Sequence, residues 1–189
     1  MNISLIWTIL LYGWTASEIY IAVATRTRQS AGLVRDRGSM LILWAAIVGS
    51  ITAAEFARNL TSFTMFPGFH ALRLIAIPLM VAGLVVRWAA IFSLGKAFSA
   101  NVAIRDTQSL YRSGLYSVVR HPSYSGMLLI FLAIAIADRN WLSAAAVLIF
   151  PSGALLYRIH VEEAALYDAF GAQYAEYCKT TKRLIPGIY

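Results

Sequence analysis

The residues best equipped for chemistry fall in two polar clusters. Arg120-His121-Pro122-Ser123-Tyr124-Ser125-Gly126 interrupts a long apolar stretch, and Arg158-Ile159-His160-Val161-Glu162-Glu163 ends another. Pro122 suits the first turn of a helix, where its missing N–H would have no partner anyway. His121 therefore marks a helix entrance, with Ser123 and Tyr124 inside its first turn. Backbone N–H groups at such an entrance can receive an anion or a carboxylate. Arg158 and Glu162 are four residues apart, hence on one helical face. The pair is either an ordinary ion pair or part of a binding site in which the arginine fork holds a carboxylate. His121, Tyr124 and Glu163 are candidate bases for an acceptor that must lose a proton.

These clusters need elements to bring them together. Apolar runs over 122–137 and 141–157 are joined by Asp138-Arg139-Asn140, which predicts a tight antiparallel hairpin returning Tyr124 and Arg158 to one level. Three further runs, over 3–24, 40–60 and 72–94, are each long enough to cross a bilayer, which takes roughly 20 helical residues. The chain has 189 residues, 59% hydrophobic and 13% charged, with mean hydropathy +0.65. A soluble domain carries roughly a quarter charged residues. The expected fold is all-α: a polytopic membrane protein with about five transmembrane helices, the last two a hairpin. A C-terminal amphipathic helix is expected to begin at Arg158. It would carry a stripe of Tyr167, Phe170, Tyr174 and Tyr177, packed on the bundle or lying at the interface. Residues 1–189 read as one domain, with 1–94 as a three-helix scaffold and 95–189 as the functional half.

Ala45, Gly49, Ala53 and Ala57 recur every four residues, which predicts a close helix approach, and Pro78 predicts a kink. Glu18 reads as an intramembrane carboxylate bonded to a neighbouring helix near the interface, or else as part of a site. Arg87 either snorkels to the interface or faces a polar cavity. Glu55 and Arg58 have the spacing of a local ion pair. Segments 25–39 and 95–120 are each net +3, while 59–71 has no charged residue. The positive-inside bias then places the N-terminus outside and both clusters and the tail in the cytoplasm. The overall charge of +7 is scattered between apolar runs, which argues against nucleic acid. The N-terminus lacks a basic n-region and a cleavage site, so the first run is expected to be retained. Cys178 is the only cysteine, so no intrachain disulfide forms. His70, His121 and His160 share no metal-ligand spacing. Glycine-rich nucleotide motifs and a nucleophile elbow are also missing, so a Rossmann-type cofactor domain is not expected.

Gly114-Leu115-Tyr116, the Arg120–Gly126 stretch, Arg158 with Glu162-Glu163, Phe170-Gly171 with Tyr174 and Tyr177, and Arg183-Leu184-Ile185-Pro186 resemble, in this order, the C-terminal half of the isoprenylcysteine carboxyl methyltransferase family. Phospholipid N-methyltransferases are similar in this region. The resemblance covers roughly residues 95–189; upstream, only span number and spacing fit. It implies S-adenosylmethionine as cofactor, bound without a Rossmann fold in a cytoplasmic pocket. The implied cofactor contacts are Gln108, Ser109, Leu110, Tyr111, Tyr116, His121, Pro122, Ser123 and Tyr124, with Glu162 near the cofactor. Arg158 matches the arginine that meets the acceptor, a lipophilic or prenylated molecule arriving from the bilayer. A carboxylate acceptor is already nucleophilic and needs no base. The chain lacks the extra N-terminal spans and longer acidic run of eukaryotic members, so it reads as a short, prokaryotic-type member in a bacterial inner membrane whose acceptor need not be a prenylated protein. The ending from Tyr177-Cys178 to Tyr189 also resembles NADPH-dependent sterol reductases, and a lipid-binding protein with a structural Arg158–Glu162 pair is the non-enzymatic alternative.

Overall fold

In the computed structural model, residues 2–25, 33–34, 36, 38–65, 71–99, 102–104 and 109–189 are described. Gln108, His70, the Pro67-Gly68 turn, Asp106, and Arg26, Arg28, Arg35, Arg37 and Arg105 lie outside the described residues. Among the described residues the helices are α1 (Ile3–Ala24), α2 (Ser39–Arg58), α3 (Leu72–Leu94), α4 (Pro122–Asp138), α5 (Trp141–Phe170) and α6 (Ala172–Thr180). Helices α1, α2, α3 and α5 are long and apolar enough to cross a membrane. Helix α4 has 17 residues, about 25 Å at the usual helical rise, and falls short of the roughly 30 Å of hydrocarbon. It is packed against α3 and α5, with Ile130, Phe131 and Ala133 almost wholly enclosed. Neighbouring protein thus covers much of its backbone and side chains.

The core runs through the middle of the bundle, where Trp14 of α1 meets Phe131 of α4 edge-on at 6.2 Å. Met80, Met127, Ile130, Val147 and Leu155 fill the space around this pair. The α4–α5 turn is fastened by Asn140. Its Oδ1 accepts from the Leu142 and Ser143 amides at 2.9 and 3.1 Å, which caps α5. Its Nδ2 donates to the Ala57 and Leu60 carbonyls at 2.9 and 3.1 Å, which ties the hairpin to the end of α2. At the opposite end the backbone of Leu33-Val34 pairs antiparallel with Ala103-Ile104.

Three expectations need correction. Of the stripe Ala45, Gly49, Ala53 and Ala57, the first three face outward and only Ala57 is buried; α2 otherwise buries Ser39, Leu43, Ile47, Ser50 and Ala54. The four-residue spacing identified one face of α2 but not the face that has a neighbour. The close approach occurs between α3 and α4, where Gly83 and Gly126 cross. A Cβ on Gly126 would lie 2.7 Å from the Gly83 carbonyl oxygen and 2.8 Å from the Arg87 amide nitrogen. Both are backbone atoms that cannot swing aside. Gly126→Ala is therefore expected to lower stability by about 1–3 kcal/mol, the usual range for overpacking. Gly153→Ala, whose Cβ would meet nothing within 4 Å among the described residues, should have no such effect. Thermal melts of the detergent-purified variants check both.

The second correction concerns the tail. No new helix begins at Arg158; α5 continues through it for 30 residues, about 45 Å, and overruns the bilayer. Its break comes at Gly171, which has φ +48, a conformation open to glycine because it lacks a Cβ. The third follows from that break. The aromatic stripe is divided between α5 and α6, and Tyr167 meets Tyr174 across the break at 4.9 Å, edge to face. As for Pro78, α3 stays continuous through it.

Candidate active site

Helix α4 begins where the sequence places it. His121 is the residue before the first turn and Pro122 is at the helix start. The His121 side chain does not cap the helix. It is buried, stacks on Tyr124 at 5.6 Å, and lies between two carboxylates. Nδ1 is 3.8 Å from Glu162 and Nε2 is 3.4 Å from Glu163. The C-terminal tail runs alongside this entrance. The Arg120 and His121 amides donate to the Lys182 and Arg183 carbonyls at 2.8 and 3.0 Å, and Ser125 Oγ donates to the Leu184 carbonyl at 2.7 Å.

Arg158, on α5, is 4% exposed. It reaches Glu162 through Tyr124 of the other hairpin arm. Its Nε donates to the Tyr124 hydroxyl at 2.9 Å, and that hydroxyl donates to Glu162 Oε2 at 2.7 Å. Arg158 Nη1 also donates to Ser39 Oγ at 3.0 Å and to Asp36 Oδ1 at 3.2 Å. Asp36 in turn accepts from Ser39 Oγ at 2.5 Å and from the Met40 amide at 3.2 Å, so it is anchored at the start of α2. The guanidinium is held in one orientation from three sides.

Glu163 plays a different part from its neighbour. It is buried, and it accepts from Arg120 Nε at 3.1 Å and Arg183 Nε at 3.0 Å, with His121 beside it. A carboxylate held by two arginines is a poor base, so Glu163 is the fastener between α5, the α4 entrance and the tail. The bond to Glu163 raises the pKa of Arg183, which strengthens that link.

Beneath the entrance lies a buried ion pair. Arg87 of α3 grips Glu18 of α1 with two bonds of 2.5 Å, and its Nη1 donates to Ser123 Oγ at 2.9 Å. Arg87 therefore does not snorkel outward but lines, with Glu18, an internal cavity. It joins α1 and α3 to the first turn of α4.

Together these elements enclose a pocket with about 900 Å³ of empty space, part of it open to solvent. Of the sequence-derived site residues, Ser109, Leu110, Tyr111, Tyr116, His121, Ser123, Tyr124, Arg158 and Glu162 all line it. Pro122 is buried at the helix start and is not on the wall. Sequence reasoning missed Leu94, Phe98 and Val102, which carry no polar signature, and Ser99, which lies outside the polar clusters; all four reach the wall only through the fold. Phe170, Tyr174 and Tyr177 also line it; their stripe was visible, but it read as packing.

Three wall phenols are locked as donors. Burial pushes Tyr177 up to about 12, and raises Tyr116 and Tyr174 as well. Tyr177 donates to the Tyr116 carbonyl. The Tyr174 hydroxyl is buried without a hydrogen-bond partner among the described residues. A buried polar group of this kind ordinarily has a partner.

A second cavity of about 470 Å³, lined by Ile21, Leu43, Trp44, Ile47 and Met127 among others, lies between α1, α2 and α4. The two cavities share Phe98, Ser99, Tyr124 and Arg158. Two cavities, each with a mixed polar and apolar lining, thus meet at Tyr124 and Arg158 inside a polytopic helical bundle.

Residues 75–168 match the isoprenylcysteine carboxyl methyltransferase (ICMT) family. The match begins inside α3, further upstream than the motifs alone indicated, and takes in Arg87. Protein-S-isoprenylcysteine O-methyltransferase B of Arabidopsis thaliana is 29% identical over 174 residues, 91% of this chain and 87% of that protein. The A form of the same plant is 30% identical over 134 residues, 68% of each chain. A solved eukaryotic intramembrane Ras methyltransferase, ICMT, superposes with TM-score 0.63 at 28% identity, covering 76% of this chain and 51% of that one. The present chain thus spans about half of that larger protein. The chain belongs to the isoprenylcysteine carboxyl methyltransferase family and is an integral membrane methyltransferase.

Proposed function

We propose that the protein transfers a methyl group from S-adenosylmethionine to the carboxylate of a lipophilic, isoprenylcysteine-like acceptor. The observation that carries this reading is the meeting of two cavities at Tyr124 and Arg158. The first cavity suits the cofactor: Tyr116, Phe170 and Tyr174 bring aromatic rings to its wall, suited to a flat base or a cation. Glu162 supplies a negative charge. S-adenosylmethionine brings an electrophilic methyl group on a sulfonium. Ser109, Leu110, Tyr111, Tyr116, His121, Ser123 and Tyr124 are the wall residues that would hold it. Gln108 remains a proposed contact by family resemblance.

The acceptor's apolar chain would lie in the second cavity, against Leu43, Trp44 and Met127, entering from the bilayer. Its carboxylate would reach Arg158, whose orientation Tyr124, Ser39 and Asp36 hold. Positioning and the exclusion of water do most of the work in such a displacement. No base is needed, which fits the engagement of Glu163 by two arginines. The loop charges support a cytoplasmic site and an N-terminus outside.

Calorimetry on the detergent-purified protein tests this reading. S-adenosylmethionine should bind, and His121→Ala should weaken it by about tenfold or more, the loss expected from about 1.4 kcal/mol of contacts. Binding of NADPH alone would instead favour a reductase, and binding of neither ligand a lipid-binding role. Methylation of phospholipid amines but not of a prenylcysteine carboxylate would retain the cofactor and replace the acceptor.

A further inference from the structure

The opposite end of the bundle holds a second concentration of charge. Arg58 ends α2, Arg73 is in the first turn of α3, and Asp138 and Arg139 form the α4–α5 turn. Arg58, Arg73 and Arg139 line one cavity with Thr64, Asp138 and Asn140, holding about 560 Å³ of empty space partly open to the surroundings. Two carboxylates oppose the three guanidiniums, and Arg58 engages both: it pairs with Glu55 and lies 3.5 Å from Asp138. Arg73 Nη1 donates to Ser4 Oγ at 2.8 Å. Its Nε is buried without a hydrogen-bond partner among the described residues.

The turn that presents Arg139 is held in an unfavourable conformation. Arg139 has φ +57, at a helix end where glycine is the usual occupant. The Met65 amide donates to its carbonyl at 2.8 Å, and Asn140 anchors the next residue to α2. Around the cavity the helix ends expose Phe56, Leu60, Phe63, Trp141 and Leu142. Exposed aromatic and apolar side chains beside arginines at helix ends mark the depth of lipid headgroups. Loop charge places this end outside, where the positive-inside bias supplies no reason for an arginine cluster.

We infer that this cavity binds the phosphate of a membrane phospholipid. Arginine suits the task because its planar fork meets phosphate oxygens in pairs. The rim favours a lipid phosphodiester over a free oxyanion. Such a lipid would clamp the ends of α2, α3 and α4 together, at a distance from methyl transfer and independently of the acceptor's identity.

Thermal melts of the detergent-purified full chain test the site in three arms: phosphatidylglycerol, diacylglycerol with the same chains, and inorganic phosphate. Phosphatidylglycerol should raise Tm by roughly 3–6 °C, a shift of the size that ligand linkage produces, and diacylglycerol should not. Arg73→Gln should remove the shift and leave the methyl-transfer rate unchanged. Equal shifts from both lipids would overturn the inference, as would an undiminished shift in both Arg73→Gln and Arg139→Gln. A shift from inorganic phosphate alone would overturn the lipid as its source. Native mass spectrometry reads the wild-type protein directly. Phospholipid retained through gel filtration supports the site, and its absence under conditions that keep the fold counts against it.

Discussion

Arg158→Ala is expected to lower kcat/KM for a carboxylate acceptor by roughly 10²–10³-fold, while S-adenosylmethionine affinity changes by less than about threefold. The magnitude follows from the loss of two charge-assisted hydrogen bonds at about 1.5–3 kcal/mol each, some of which solvent recovers. The selectivity follows from the geometry. Arg158 sits where the two cavities join, so its removal leaves the aromatic wall of Tyr116, Phe170 and Tyr174 standing. Arg158→Lys should rescue little, because an ammonium keeps the charge but loses the planar fork. Asp36 retains Ser39 Oγ and the Met40 amide when the arginine is gone, so the start of α2 keeps its anchor and the variant should fold. Steady-state kinetics on a prenylcysteine carboxylate, paired with calorimetry of the cofactor, separates the outcomes. Equal loss of catalysis and cofactor affinity would refute an acceptor role.

Arg87→Met should destabilise the protein by about 3–5 kcal/mol, the usual result of stranding one partner of a buried ion pair. Glu18 is 6% exposed and sits within a membrane-spanning helix, where an unpaired carboxylate is poorly tolerated. The double variant Glu18→Gln/Arg87→Met removes both charges and should recover much of the melting temperature. It should not recover activity fully. Arg87 also donates to Ser123 Oγ in the first turn of α4, and that bond helps to set the height of His121 and Tyr124. Melting temperature and kcat measured on both variants make the distinction. Full recovery of kcat together with stability would mean that the Ser123 bond positions nothing.

The sequence and the fold divide the explanation unevenly. The helix entrance at Pro122 was legible because proline chemistry is local. The antiparallel hairpin was legible because three residues leave no other return path. The end of α5 was misread because polarity changes at Arg158, whereas a helix stops at a backbone constraint, which here is Gly171. Ala45, Gly49 and Ala53 were misread for a related reason. Small residues permit a close approach but do not supply a neighbour; Gly83 and Gly126 have one. Glu162 and Glu163 are adjacent in sequence yet serve differently, because successive side chains on a helix point about 100° apart. One faces the pocket, and the other is held by Arg120 and Arg183.

What the sequence by itself determined is the set of apolar runs, their count and length, the two polar clusters at one end, and the family those clusters resemble. These depend on local composition and on short-range spacing. The tertiary structure alone decided that Glu18 and Arg87, 69 residues apart, neutralise one another, that Asp36 orients Arg158, and that the two cavities meet at Tyr124 and Arg158. A helical period states which side of each cylinder is apolar, but not which cylinder it turns toward. That choice is made by packing, through the Gly83–Gly126 crossing and the Asn140 turn, and it places Arg158 on the wall of an aromatic-lined pocket.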